Sequence, residues 1–175
     1  MELEDIKKYL DGSNYVILEG IGGIGKSELA KKYVLDNKER YNIIQFINFK
    51  DSLLSTIADS LEVYNFDYSK YEKEYSKEKI FKEKMSILKK TSKNRKILIV
   101  IDNFNVAADD NFHRFVSNEY KVIFTSRERH SGNVVVVKSM ESDGDLKELF
   151  SVYYHSRVHL EPKKMSLKMK LLFMI

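Results

Sequence analysis

The chain has 175 residues, 43% of them hydrophobic and 32% charged, with a formal net charge of +4. That length and balance suit one folded domain and exclude a disordered chain. The lack of cysteine excludes disulfides and thiolate metal sites, the polar opening MELEDIKKYL is not a signal peptide, and no apolar run is long enough to span a bilayer, so the cytoplasm is the expected location.

The positive charge is concentrated in residues 161–175, which carry four lysines and one glutamate. Elsewhere bases are mixed with acids, as in residues 68–96, which reads as a solvated helical face and gives no reason to expect nucleic acid as a partner.

In chain order, residues 15–18 (YVIL) read as a buried strand, followed by a glycine-rich turn and a helix over residues 26–35 with Leu29, Ala30, Tyr33 and Val34 on one stripe. Residues 43–49 (IIQFINF) form a second strand. Asp51 is placed to cap a helix whose apolar positions are Leu53, Leu54, Ile57, Ala58 and Leu61. Residues 65–77, rich in tyrosine, lysine and glutamate, have poor periodicity and read as a loop or an exposed helix. A helix over 79–90 carries Ile80, Phe81, Met85 and Leu88 at helical spacing. Residues 97–101 (ILIVI) are the most apolar run and a buried strand. A helix is expected over 106–116, strands over 121–125 (KVIFT) and 134–137 (VVVV), and a helix over 143–154. Continuous apolar strands separated by helices indicate an α/β fold, with a parallel sheet covered on both faces and ligands bound at the carboxyl ends of the strands.

The residues between the first strand and its helix read GIGGIGKS, from Gly20 to Ser27, which fits the phosphate-loop pattern G-x-x-x-x-G-K-[ST] at every position and in the right context. Glycines let the backbone turn tightly and approach a ligand closely, so that successive N–H groups form an anion nest. Gly20, Gly22, Gly23, Ile24, Gly25, Lys26, Ser27 and Glu28 are the candidate nucleotide-binding residues. The helix beginning at Lys26 adds unpaired N–H groups and a partial positive charge. Lys26 is expected to reach the β- and γ-phosphates, and the Ser27 hydroxyl to ligate Mg²⁺.

The strand ILIVID ends at Asp102, the Walker B pattern, where the carboxylate would hold the Mg²⁺ shell. Asn103 follows, where many NTPases have a second acid. An amide is not a general base, so slow intrinsic hydrolysis is expected. The strand KVIFTSR ends at Thr125, Ser126 and Arg127, and a guanidinium there could read the γ-phosphate. Arg129 and His130 lie close by, and the pattern does not rank them.

Four segments in this order, GIGGIGKSELA, ILIVIDNF, KVIFTSRER and VVVVKSMESDGDLKELF, resemble the nucleotide-binding domain of STAND-class P-loop NTPases, especially the NB-ARC type, over about residues 12–154. The resemblance implies a three-layer fold with a five-stranded parallel sheet and the sensor strand between the Walker A and Walker B strands. It implies ATP/ADP with Mg²⁺ as ligand, and a switch that ADP keeps off and exchange for ATP turns on, acting with other domains or subunits of a signalling assembly. By the same match Lys26, Asp102 and Arg127 take the phosphate and sensor roles, Ser27 and Asp102 the metal role, and the stretch around Tyr9 and Leu10 lies where the family contacts the adenine. Residues 1–160 are then the nucleotide-binding domain. Residues 161–175 are a basic and apolar tail in place of the family's helical subdomain, which leads to the expectation of a truncated member. An AAA+-like nucleic-acid-handling ATPase would need a basic patch or an arginine finger, and a small-molecule kinase an arginine-rich lid. Neither feature stands out, so both rank below the switch domain.

Overall fold

The architecture follows from five apolar strands that must be covered on both faces. The computed structural model describes residues 2–64, 66–67, 76–116 and 119–138. Helix α1 (Glu2–Gly12) leads into β1 (Tyr15–Glu19), α2 (Lys26–Asn37), β2 (Ile43–Asn48), α3 (Leu53–Ser60) and α4 (Lys77–Ser92), followed by β3 (Ile97–Asp102), α5 (Phe112–Val116), β4 (Lys121–Ser126) and β5 (Val134–Val136). The strands form one sheet in the order β2-β3-β4-β1-β5. Every pairing is parallel, with Leu18 opposite Thr125, Ile101 opposite Phe124 and Asn48 opposite Asp102. The sensor strand β4 therefore lies between β1 and β3, as the resemblance implies.

Alternation along each strand divides the core into two layers. Ile97, Ile99 and Ile101 of β3, Val122 and Phe124 of β4 and Ile17 of β1 pack with Leu53 and Ile57 of α3, Phe81, Met85 and Leu88 of α4 and Phe115 of α5. On the other face Leu98, Val100, Ile123, Val16 and Leu18 pack with Ile6 and Leu10 of α1 and Ala30, Tyr33 and Val34 of α2. These side chains are almost wholly withdrawn from water, and each large one contributes roughly 1.5–3 kcal/mol to the fold. The result is a three-layer α/β fold whose crossovers bring the carboxyl ends of β1, β3 and β4 to one edge.

Several local expectations are corrected. The cap of α3 is Ser52, not Asp51: the Ser52 side chain accepts the Ser55 N–H at 3.1 Å. The helix expected over 106–116 is confined to Phe112–Val116. Asp109 competes with it, because one carboxylate oxygen accepts the Asn111 N–H and the other the Leu53 N–H, both at 2.8 Å, which makes a local turn and ties it to the start of α3. Helix α1 was not expected; its stripe of Ile6 and Leu10 buries against β1 and β5. The helix expected over 143–154 and the tail over 161–175 lie outside the described residues, as does most of 65–77. No described helix is long and apolar enough to cross a membrane.

Lys84 of α4 is wholly buried. Its ammonium donates to the carbonyls of Ala58 and Leu61 at 2.7 Å and of Ile57 at 3.3 Å, closing the C-terminal end of α3. Burial pushes its pKa down to about 8, against the opposing pull of Asp59 and Glu62. An unfolded lysine titrates near 10.5, so between these values the unfolded chain holds a proton that the native chain has released, and native stability gains as pH rises. The stability difference between the wild type and Lys84→Met, measured by urea unfolding, is therefore expected to shift in favour of the wild type from about pH 8 to about pH 10.5. Parallel pH profiles for the two chains would contradict this.

Candidate functional site

The carboxyl end of β1 turns through Gly20 to Gly25 into α2. Gly23 and Gly25 have φ of 77° and 97°, a region that L side chains rarely occupy. Gly20 is needed for space: a Cβ there would lie 3.0 Å from the Val137 carbonyl oxygen and 3.1 Å from the Ile24 side chain. No side chain caps the N-terminus of α2, so its first-turn N–H groups and positive dipole end are available to an anion. Lys26, the first residue of α2, is buried, and its ammonium donates to the carbonyls of Gly20 at 2.7 Å and Ile21 at 2.8 Å. Burial first, and then the charge of Arg127, hold the Lys26 pKa below the usual lysine range, while Asp102 opposes them.

The next residue reaches across to β3. Ser27 Oγ donates to Asp102 Oδ1 at 2.7 Å, and Thr125 Oγ1 donates to the same oxygen at 2.5 Å. The Asn103 N–H donates in turn to Thr125 Oγ1 at 3.0 Å. Asn103 has φ of 61°, a left-handed conformation that asparagine tolerates better than most residues.

Arg127 follows β4, and its guanidinium lies over the loop: a Cβ built on Gly22 would be 3.6 Å from its Nε and Cζ. Its backbone is fixed by the N–H bond to Asn105 Oδ1 at 2.8 Å. The following turn is anchored at Ser126, whose Oγ accepts the Glu128 N–H at 3.0 Å and pairs with His130 Nε2 at 2.8 Å. The His130 N–H donates to Glu19 Oε2 at 3.0 Å, and its ring stacks on Phe104 at 5.6 Å. Burial lowers the His130 pKa, against Glu19 and Glu128, which favours a neutral imidazole near pH 7.

Lys26, Ser27, Asp102 and Arg127 thus converge from three sequence segments onto one loop. Two other residues go elsewhere. The Glu28 carboxylate is turned along α2 to Lys31 at 2.8 Å, and Ile24 packs its side chain beside Gly20. Leu10 is a core residue and its side chain is not free to meet a base. Tyr9 instead lines a cleft of about 270 Å³ with Asp5, Lys8 and Val134 to Val136. Sequence reasoning gave no role to Asn105 and Glu19 and left His130 unranked; their signal is proximity across strands, which spacing in a single chain does not carry.

Ser27 and Asp102 offer hard oxygens within hydrogen-bonding distance of one another. Among the described residues no group of three or more His, Cys, Asp and Glu could enclose a metal. The Ser27 and Asp102 oxygens suit a cation that takes few protein ligands and fills its shell with phosphate oxygens and water.

A glycine cradle at a helix N-terminus, a lysine and serine opening that helix, and a strand-end aspartate on the serine define a P-loop NTPase domain. The family model of the NB-ARC domain matches residues 1–146. The chain belongs to the NB-ARC family, the nucleotide-binding module of STAND-type NTPases. Among solved structures it is similar to the Walker-type ATPase PABY2304 of Pyrococcus abyssi, at 15% identity and a TM-score of 0.47, with 92% of this chain and 59% of that one covered. No curated protein matches.

Gly25→Ala places a Cβ on a residue at φ of 97°. It is expected to lower stability by about 1–2 kcal/mol in urea unfolding. An unchanged midpoint would contradict the left-handed backbone at Gly25.

Proposed function

We propose that this chain is an ATP/ADP-binding regulatory switch domain that requires Mg²⁺ and hydrolyses ATP slowly or not at all on its own. The observation that carries the reading is the hydrogen bond from Ser27 to Asp102, which ties the phosphate loop to the Walker B strand, with Arg127 laid over the same loop at Gly22. The backbone N–H groups of the loop and Lys26 would bind the phosphates. Ser27 and Asp102 would hold Mg²⁺, which supplies charge neutralisation between phosphate oxygens when bound. Arg127, on a loop fixed through Asn105, would report whether a γ-phosphate is present.

Slow turnover is supported by the fate of the acids at the strand ends. Asp102 Oδ1 already accepts two hydroxyl hydrogens, and Glu19 accepts the His130 N–H. Asn103, in the position after Asp102, cannot take a proton from water. A domain of this kind serves as a switch through other domains or subunits of a signalling assembly. The cleft beside Tyr9, lined by Tyr9 and valines with Asp5 and Lys8, suits a purine ring of either kind, and the preference for adenine is what the family resemblance implies.

Calorimetric titration with ATP, ADP and GTP, each with Mg²⁺, is expected to show adenine-selective binding. Turnover is expected well below the roughly 10 s⁻¹ of a median enzyme. Lys26→Ala is expected to weaken ATP binding roughly ten- to a hundredfold, because it removes a charge-assisted contact and leaves phosphate charge unpaired. Undiminished affinity in that variant, or brisk turnover by the wild type, would overturn the reading.

A further inference from the structure

The backbone ladder between β3 and β4 ends at the pair Ile101 and Phe124. One residue further along, where Asp102 and Thr125 face each other, the side chain of Thr125 takes over the connection. Thr125 is 1% exposed and holds three successive groups of the neighbouring strand end. Its hydroxyl donates to Asp102 Oδ1 at 2.5 Å and accepts the Asn103 N–H at 3.0 Å, and its carbonyl accepts the Phe104 N–H at 2.8 Å. On its other side Thr125 is paired with Leu18 of β1, the strand that feeds the phosphate loop.

A hydroxyl has one proton and two lone pairs. With the proton on the carboxylate and a lone pair on the Asn103 N–H, Thr125 fixes both the rotamer of Asp102 and the left-handed turn that follows it. The bond to Asp102 is charge-assisted and directional, which holds the carboxylate oxygens, the hard ligands Mg²⁺ takes, in one place.

We propose that Thr125 is the positioning residue that holds Asp102 ready for the divalent cation, so that β4 carries both this clasp and, two residues later, the arginine over the loop. The proposal rests on the reading of the site as a Mg²⁺-nucleotide site. Valine has nearly the shape of threonine but would remove one of the two hydroxyl donors on Asp102 Oδ1, leaving that of Ser27, and would leave the Asn103 N–H without its acceptor. The P-loop backbone and Lys26 would be untouched, so affinity for the phosphates without metal should persist.

The test titrates a fluorescent N-methylanthraniloyl ATP into the wild type, Thr125→Val and Thr125→Ser, once with Mg²⁺ and once with EDTA. The gain in affinity from Mg²⁺ is expected to fall roughly tenfold in the valine variant. Its affinity in EDTA should stay within about twofold of wild type, and the serine variant, which keeps the hydroxyl, should recover most of the gain. A full Mg²⁺ gain in Thr125→Val, or an equal loss with and without Mg²⁺, would overturn the proposal while leaving the nucleotide reading intact. A wild type that binds no ATP analogue even with Mg²⁺ would overturn that reading, and the proposal with it. Should the valine chain not fold by circular dichroism, Thr125→Cys, a weak donor of similar size, repeats the measurement. Failure of both to fold beside a folded Thr125→Ser would mark the hydroxyl as a folding determinant and also count against the proposal.

Discussion

One carboxylate oxygen joins the three parts of the site. Asp102 Oδ1 accepts hydrogen bonds from Ser27, at the start of α2, and from Thr125, at the end of β4. A carboxylate half-withdrawn from water is costly unless it is hydrogen-bonded, and the sheet is arranged so that two donors arrive together. They arrive only because β4 lies between β1 and β3 and all three strands run in parallel. That order in turn needs strands apolar on both faces, covered by α1 and α2 on one side and α3, α4 and α5 on the other. The polar hub therefore depends on the apolar core beneath it.

Positive charge is gathered above this hub. The Lys26 ammonium sits on two loop carbonyls, and the Arg127 guanidinium lies over Gly22. Each cation raises the cost of the other, which is part of why the Lys26 pKa is held down. An anion placed between them would relieve that repulsion, and the glycines at positive φ already hold the loop in its cradle conformation. Glycine adopts those φ values without strain, so the loop geometry and the two cations together make a cradle suited to an anion.

The phosphate loop and the five strands were legible in the sequence because both are contiguous patterns. Residues 97–101 are apolar without a break since both faces of β3 are buried, and GIGGIGKS meets a fixed spacing. Features that depend on distant partners were not legible. Asp109 breaks the expected helix over 106–116 because its carboxylate bonds to Leu53, which is 56 residues away in sequence. Lys84 looks like one more exposed lysine among many in α4, yet it is buried on the end of α3. The stripe of α1 rests on Ile6 and Leu10, two apolar positions set among charged residues, which is a short periodicity. In the candidate site, Lys26, Ser27, Asp102 and Arg127 sit at motif positions, whereas Asn105 and Glu19 join it only through contacts between strand ends.

The most direct measurement is a crystal structure of the chain with Mg²⁺ and a non-hydrolysable ATP analogue. The account predicts the triphosphate along the backbone N–H groups of the loop, with Lys26 drawn from the Gly20 and Ile21 carbonyls to the phosphates and the cation beside Ser27 and Asp102. Phosphates bound away from the loop, with Lys26 still on those carbonyls, would contradict it.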